Sequence, residues 1–183
     1  IQLALDTAYP GDVVLVDDGT YQENLVWPQV DNVTMRSVNG RDQTTVDGSG
    51  NTESCVYIQP QTQNVKIDGF TLTGGDGSLF SISNSRAGGG IYMDVNGSID
   101  ILNCIVTNNG YYGTNGSNNL GTRGGGILIG ANTVSNIDNC VISNNTGYEG
   151  SGIWYRYGTQ NTISRTEITH NNSRPGIYLN GGV

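Results

Sequence analysis

The chain has 183 residues, of which 35% are hydrophobic and 13% charged, with 28 glycines, three cysteines and a formal net charge of −8. That acidity excludes a phosphate-reading nucleic-acid face, which needs clustered Lys and Arg, and disfavours direct insertion into or binding on an anionic membrane. So small an apolar fraction excludes a globule with one thick core, and no run of about 18 apolar residues is present to span a bilayer.

In chain order, Ile1, Ala4, Leu5 and Ala8 lie at helical spacing and Pro10-Gly11 ends the segment. This predicts a short amphipathic helix over residues 1–10 that caps one end of a core. Residues 11–63 carry the first turns. They hold a strand at Val13-Val14-Leu15-Val16, a turn at Asp17-Asp18-Gly19 and a strand around Asn24-Leu25-Val26-Trp27.

Residues 64–183 read as regular repeats within the same single domain. One motif is a small-residue lead-in followed by three strand residues. It reads Gly89-Gly90-Ile91-Tyr92-Met93, Gly125-Gly126-Ile127-Leu128-Ile129, Ser151-Gly152-Ile153-Trp154-Tyr155 and Pro175-Gly176-Ile177-Tyr178-Leu179, with an earlier copy at Ser54-Cys55-Val56-Tyr57-Ile58. A second motif reads Val65-Lys66-Ile67-Asp68, Ile99-Asp100-Ile101-Leu102, Ile137-Asp138 and Ile163-Ser164. Apolar residues alternate within each copy, which is strand periodicity.

The first motif recurs at steps of 35, 36, 26 and 24 residues. The short steps rule out a propeller blade of about 40–45 residues and suit one solenoid turn with three short strands and three bends. Stacked turns about 4.8 Å apart would place Val56, Ile91, Ile127, Ile153 and Ile177 in one inward column. Ile58, Met93, Ile129, Tyr155 and Leu179 would form a second, and Val65-Ile67, Ile99-Ile101, Ile137 and Ile163 a third. Gly69, Asn103 and Asn139 mark one corner, where φ > 0 suits Gly and Asn. Gly75, Asn109, Asn145 and Asn171 mark another, where stacked amides hydrogen-bond along the axis.

Cys104 and Cys140 share a repeat position, with Phe70 on the turn below and Thr166 on the turn above. They read as inward-facing free thiols, in preference to a vertical disulfide that the separation would also allow. His170 reads as a surface bend residue. The chain opens in mid-pattern and stops without a terminator, so it is read as a piece of a longer protein.

The segments Pro10-Gly11-Asp12-Val13-Val14 and Gly19-Thr20-Tyr21-Gln22-Glu23-Asn24, with the Gly-Gly-Ile and Val106-Thr107-Asn108-Asn109 repeats, resemble the right-handed parallel β-helix, or pectate-lyase-like, superfamily and its secreted bacterial members. The repeats are also similar to those of chlamydial polymorphic outer membrane proteins, with Gly in place of Ala and Val106 or Ile142 in place of Phe. The resemblance covers nearly the whole chain. It implies an all-β, right-handed parallel β-helix with a short N-terminal capping helix, in an extracellular protein, secreted or on a cell surface. Because this fold hosts lyases, hydrolases, epimerases, adhesins and phage spikes, it does not by itself name an activity.

Two surfaces are candidates for function. Tyr57, Tyr92, Leu128, Trp154 and Tyr178 form an outward stripe, flanked by insertions at 74–88 and 109–124, the latter carrying Tyr111 and Tyr112. The tyrosines and Trp154 are candidate ligand-binding residues; contact with a saccharide, a protein interface and no role at all remain open. Lyases of the resembled fold combine clustered Asp for Ca²⁺ with Lys or Arg, and the only Lys is Lys66, beside Asp68 and Asp100. Asp68 and Asp138 stand two turns, about 9.6 Å, apart, too far to share one Ca²⁺ at its ligand distances of about 2.3–2.6 Å. Lys66 and Asp100 read more simply as a surface ion pair. No facing pair of carboxylates for glycoside hydrolysis is evident. No cofactor is expected; Ca²⁺ is the one ion kept in view, with Asp76 and Asp94 as candidates. The sequence thus reads as a structural, adhesive or glycan-binding module whose partners are a polysaccharide, a surface glycan or other copies of itself stacked end to end. The alternative is a polysaccharide lyase or another carbohydrate-active enzyme.

Overall fold

A computed structural model describes residues 1–79, 85–111, 122–172 and 175–181. Runs of three to five alternating residues form strands, and a Gly, an Asn or a short loop then turns the chain. Three parallel six-stranded sheets result. The first holds Val13–Val16, Thr34–Ser37, Val65–Asp68, Ser98–Leu102, Val134–Asp138 and Gln160–Ser164. The second holds Gly19–Tyr21, Thr44–Asp47, Thr71–Thr73, Ile105–Thr107, Val141–Ser143 and Glu167–Thr169. The third holds Leu25–Trp27, Val56–Ile58, Ile91–Met93, Ile127–Ile129, Ile153–Tyr155 and Ile177–Leu179. Each coil contributes one strand to each sheet, so six coils stack as a parallel β-helix.

The expected columns are present residue for residue. Ile91 pairs with Val56 below and Ile127 above, and Ile153 and Ile177 continue the column. Ile58, Met93, Ile129, Tyr155 and Leu179 run beside it. Ile67, Ile101, Ile137 and Ile163 run up the first sheet. From the second to the fifth coil these side chains fill one slender apolar cylinder.

The corners explain the Asn and Gly content. Gly69, Asn103, Asn139 and Arg165 take left-handed φ values of 84, 53, 53 and 47° at the first corner. Outside it, Asn139 Nδ2 donates to Asn103 Oδ1 at 2.8 Å, and Asn103 Nδ2 to Asp68 Oδ1 at 2.7 Å. At the next corner the left-handed residues are Gly74, Asn108, Asn144 and His170, and the residue after each turns inward. Asn109 N–H and Nδ2 both donate to Asn145 Oδ1, at 3.0 and 3.1 Å. Asn145 N–H and Nδ2 donate in the same way to Asn171 Oδ1, each at 3.0 Å, and Asn145 Nδ2 also reaches the Val106 carbonyl at 2.9 Å.

The glycines before Ile91, Ile127 and Ile153 are closely packed, by the carbonyl of the glycine on the next coil (2.8, 2.6 and 2.5 Å from a Cβ on Gly90, Gly126 and Gly152) and by the amide ladder together. A Cβ on Gly126 would lie 2.9 Å from Asn145 Nδ2, and one on Gly90 3.1 Å from Asn109 Nδ2. A third run of amides was not anticipated from the sequence: Asn64 Nδ2 bonds Asn32 Oδ1 at 2.9 Å, and Asn132 Nδ2 bonds Asn96 Oδ1 at 3.2 Å.

The N-terminal helix spans Gln2–Asp6, shorter than the predicted 1–10. Leu5 seals the end of the cylinder, Ile1 and Ala8 pack partly against it, and Ala4 faces out. Gln2 also completes the first strand of the third sheet. Its amide accepts from Val26 N–H at 2.8 Å and donates to the Val26 carbonyl at 2.9 Å, covering an edge that would otherwise be open. In the sixth coil, Ile163, Ile177 and Leu179 are 37, 40 and 70% exposed.

Replacing Asn145 by Ala strips partners from several buried groups at once and is expected to lower the unfolding free energy by about 3 kcal/mol or more. Asn139→Gly, at an exposed left-handed position, should cost less than about 1 kcal/mol. Urea denaturation of the two variants measures the difference.

Candidate functional site

The aromatic stripe forms as read, with Tyr57, Tyr92, Leu128, Trp154 and Tyr178 in one outward register on the third sheet. It is not an open face. Tyr92 is 1%, Leu128 0% and Trp154 2% exposed. The cause lies in the two insertions. Ser78–Leu79, Arg86–Ala87 and Thr122–Arg123 form a small lateral sheet over the stripe, and Ala87 packs with Tyr92, Leu128 and Trp154 into a second apolar cluster. Arg123 stacks its guanidinium 5.3 Å from the Trp154 ring centre and holds Glu149 at 3.1 Å. The expectation that Tyr92 and Trp154 offer ring faces to a ligand is therefore corrected: their faces are occupied by the protein's own lateral sheet.

Tyr57 and Tyr178, at the margins, are partly buried against the same cluster. The Tyr57 and Tyr92 rings lie 5.0 Å apart, and Tyr57 donates its hydroxyl to Asp94 Oδ2 at 3.2 Å. Burial, reinforced by the Asp94 carboxylate, pushes the Tyr57 hydroxyl up to about 12 and raises Tyr92 as well, so both stay protonated donors at neutral pH. Tyr111 is tied by its backbone to Thr122, with its N–H donating to Thr122 Oγ1 at 2.9 Å. Tyr112 lies outside the described residues. Asp94 also accepts the Val95 N–H at 2.8 Å, and the Asp76 carbonyl accepts from Thr122 Oγ1 at 2.6 Å. Among the described residues no group of three or more His, Cys, Asp and Glu is placed to hold a metal ion.

The outer face of the first sheet is open. Thr34, Lys66, Asp100 and Asn136 stand in one ladder across four coils. Lys66 Nζ lies 3.7 Å from Asp100 Oδ2, and both side chains are exposed, at 37 and 42%. A groove of about 440 Å³ passes over them, lined also by Asn64, Ser98 and Val134.

Asp68 is drawn away from Lys66. It stands in the neighbouring ladder, where Arg36 Nε donates to it at 3.1 Å and Asn103 Nδ2 at 2.7 Å. Two coils on, beyond Leu102, Asp138 accepts from Arg165 Nε at 2.9 Å and Ser164 Oγ at 2.8 Å. The Arg165 hydrogen bonds hold the Asp138 carboxyl down at about 2. The structure thus brings Lys66 and Asp100 together and leaves Asp68 engaged elsewhere. Its groups are an ion pair and hydrogen-bonding side chains, and among the described residues the Asp68 and Asp138 carboxylates are each engaged by an Arg.

Sequence reading missed the lateral sheet and the amide and hydroxyl lining of the groove. A signal for the first existed: both insertions enter just before strands of the stripe, in neighbouring coils, so they emerge on the same side.

No protein-family model matches the sequence, and no curated protein matches it. Among solved structures the chain is similar to a pectin methylesterase from Yersinia enterocolitica, with 14% identity and a TM-score of 0.44 over 89% of this chain. The chain spans 60% of that protein's length.

Trp27 and Trp154 are 0 and 2% exposed, and they are the only two tryptophans. Native emission should therefore be blue-shifted and poorly quenched by acrylamide. Ready quenching of Trp154, read in a Trp27→Phe variant of the folded protein, would mean that the lateral sheet does not cover the stripe.

Proposed function

We propose that the protein is a non-catalytic, extracellular β-helix, secreted or displayed on a cell surface, that holds a linear glycan along the groove of its first sheet. The observation that carries this reading is the open ladder Thr34–Lys66–Asp100–Asn136 with its groove of about 440 Å³. Its hydroxyl, ammonium, carboxylate and amide groups recur about every 4.8 Å along the axis. Such groups match the hydroxyls and carboxylates of a polysaccharide. Because they are mounted on paired strands, little ordering accompanies binding. The burial of Tyr92 and Trp154 moves this reading from the third sheet to the first.

The lyase alternative has less support. Lys66 is engaged by Asp100, while Asp68 and Asp138 are engaged by Arg36 and Arg165, so no cluster of free carboxylates adjoins Lys66 among the described residues. Titration calorimetry with uronate-bearing and neutral oligosaccharides tests both readings. Wild type should bind, and Lys66→Ala or Asn136→Ala should weaken binding about tenfold, or about 1.4 kcal/mol. Equal affinity in both variants refutes the groove. A rise in ultraviolet absorbance from unsaturated product, lost in Lys66→Ala and tested with and without Ca²⁺, would establish a lyase instead.

A further inference from the structure

Cys104 and Cys140 stand at the corner between the first and second sheets, each one residue before Ile105 and Val141, which pair in register. The Cys104 N–H points at Cys140 Sγ at 3.4 Å across a separation of 36 residues, so the two thiols are neighbours across adjacent coils. Both are buried, with 0 and 1% exposure. Cys55 belongs to a different corner, where its thiol donates to the Thr73 carbonyl at 3.1 Å. All three thiols are free in the structure.

The two stacked thiols are not equivalent. Cys140 Sγ accepts the Cys104 N–H and lies near the Cys104 thiol and Arg41. Arg41 comes from the second coil and places its Nη1 2.8 Å from the Asn139 carbonyl and 3.4 Å from the Cys104 carbonyl. These groups stabilise a thiolate at Cys140 and lower its proton affinity. Cys104 is pushed the other way by burial and by Cys140 itself.

We propose that Cys104 and Cys140 form a redox-active pair that closes into a disulfide between the fourth and fifth coils. Parallel stacking brings their Cα atoms to about 4.8 Å, inside the range of about 4.4–6.8 Å that disulfides span. The oxidant is a low-molecular-weight disulfide, admitted by transient opening of the corner. The Cys140 thiolate attacks one of its sulfurs; the reagent's S–S bond breaks, one thiolate leaves and a mixed disulfide remains on Cys140. Cys104 then loses its proton to solvent and attacks the Cys140 sulfur, expelling the second thiolate. Two electrons pass from the pair to the reagent, which is reduced to two thiols. The closed bond ties off a loop of 36 residues and opposes unwinding of the helix between those coils.

The test uses the folded, reduced protein incubated with 4,4′-dithiodipyridine, then denatured, alkylated and weighed. Wild type should lose two of its three alkylatable thiols and two hydrogen masses. A digest should contain one linked peptide pair carrying Cys104 and Cys140, and Tm should rise by several degrees in a manner reversed by dithiothreitol. Cys104→Ser should stop at a mixed disulfide on Cys140, and Cys140→Ser should form no link. The proposal is overturned if wild type keeps all three thiols under conditions that oxidise the denatured chain, if the mixed disulfide persists without closing, or if the link involves Cys55. Because the wild-type result stands alone, poor folding of either variant does not rescue it.

Discussion

Residue-for-residue register between successive coils is the constraint on which the rest of this molecule depends. Each interior strand pairs with a strand below and a strand above, so every side chain has an equivalent neighbour about 4.8 Å away on either side. Inward positions must then stack apolar groups on apolar groups, as Val56, Ile91, Ile127 and Ile153 do. Polar groups turned inward must stack on partners that can both donate and accept. Asn meets that demand: Asn109, Asn145 and Asn171 each offer a carbonyl oxygen to the coil below and an amide to carbonyls within reach. The ladder, together with the glycine carbonyls of the coil above and the Val106 side chain, leaves no room for a Cβ at Gly126 or Gly90. The Asn columns and the Gly-Ile motif are two halves of one packing solution.

The same register governs the outer faces, with different consequences on each sheet. On the third sheet the outward stripe is large and aromatic, and leaving it in water would expose a continuous apolar strip. The insertions of the third and fourth coils cover it and create a second, smaller core. On the first sheet the outward residues are mostly polar or charged, with a few apolar ones such as Leu15 and Val134 left exposed, and nothing among the described residues covers them. An exposed pair such as Lys66–Asp100 contributes little to stability. Its groups can exchange one another for a ligand at small cost to the fold, whereas the buried Arg123–Trp154 stack cannot.

The cysteine corner shows how stacking places chemistry without any local motif. Cys104 and Cys140 are far apart in sequence and carry no recognisable spacing, yet the repeat period sets one above the other. Arg41 reaches them from the second coil by running along the helix axis, a contact that no sequence neighbourhood contains.

Much of the fold was legible in the sequence because a solenoid repeats a local pattern. Alternation in Val65-Lys66-Ile67-Asp68 reports a strand with one buried face, and the recurrence of Gly-Ile at shrinking steps reports successive coils. The left-handed Asn103 and Asn139 and the bend at His170 follow from the same periodicity, as does the vertical stacking of Asn109 on Asn145. What does not repeat was not legible. The lateral sheet is built once, from insertions, so no period announces it, and only its folding decided that Tyr92 and Trp154 are core rather than surface. In the ladder Thr34–Lys66–Asp100–Asn136 the repeat pattern already set Asp100 beside Lys66, but nothing in the identities of Thr34 and Asn136 marks them as continuing it. Sequence alone determined which residues point inward, because burial requires like on like. The tertiary structure decided which outward residues meet water, because that depends on where non-repeating chain is laid across the coils.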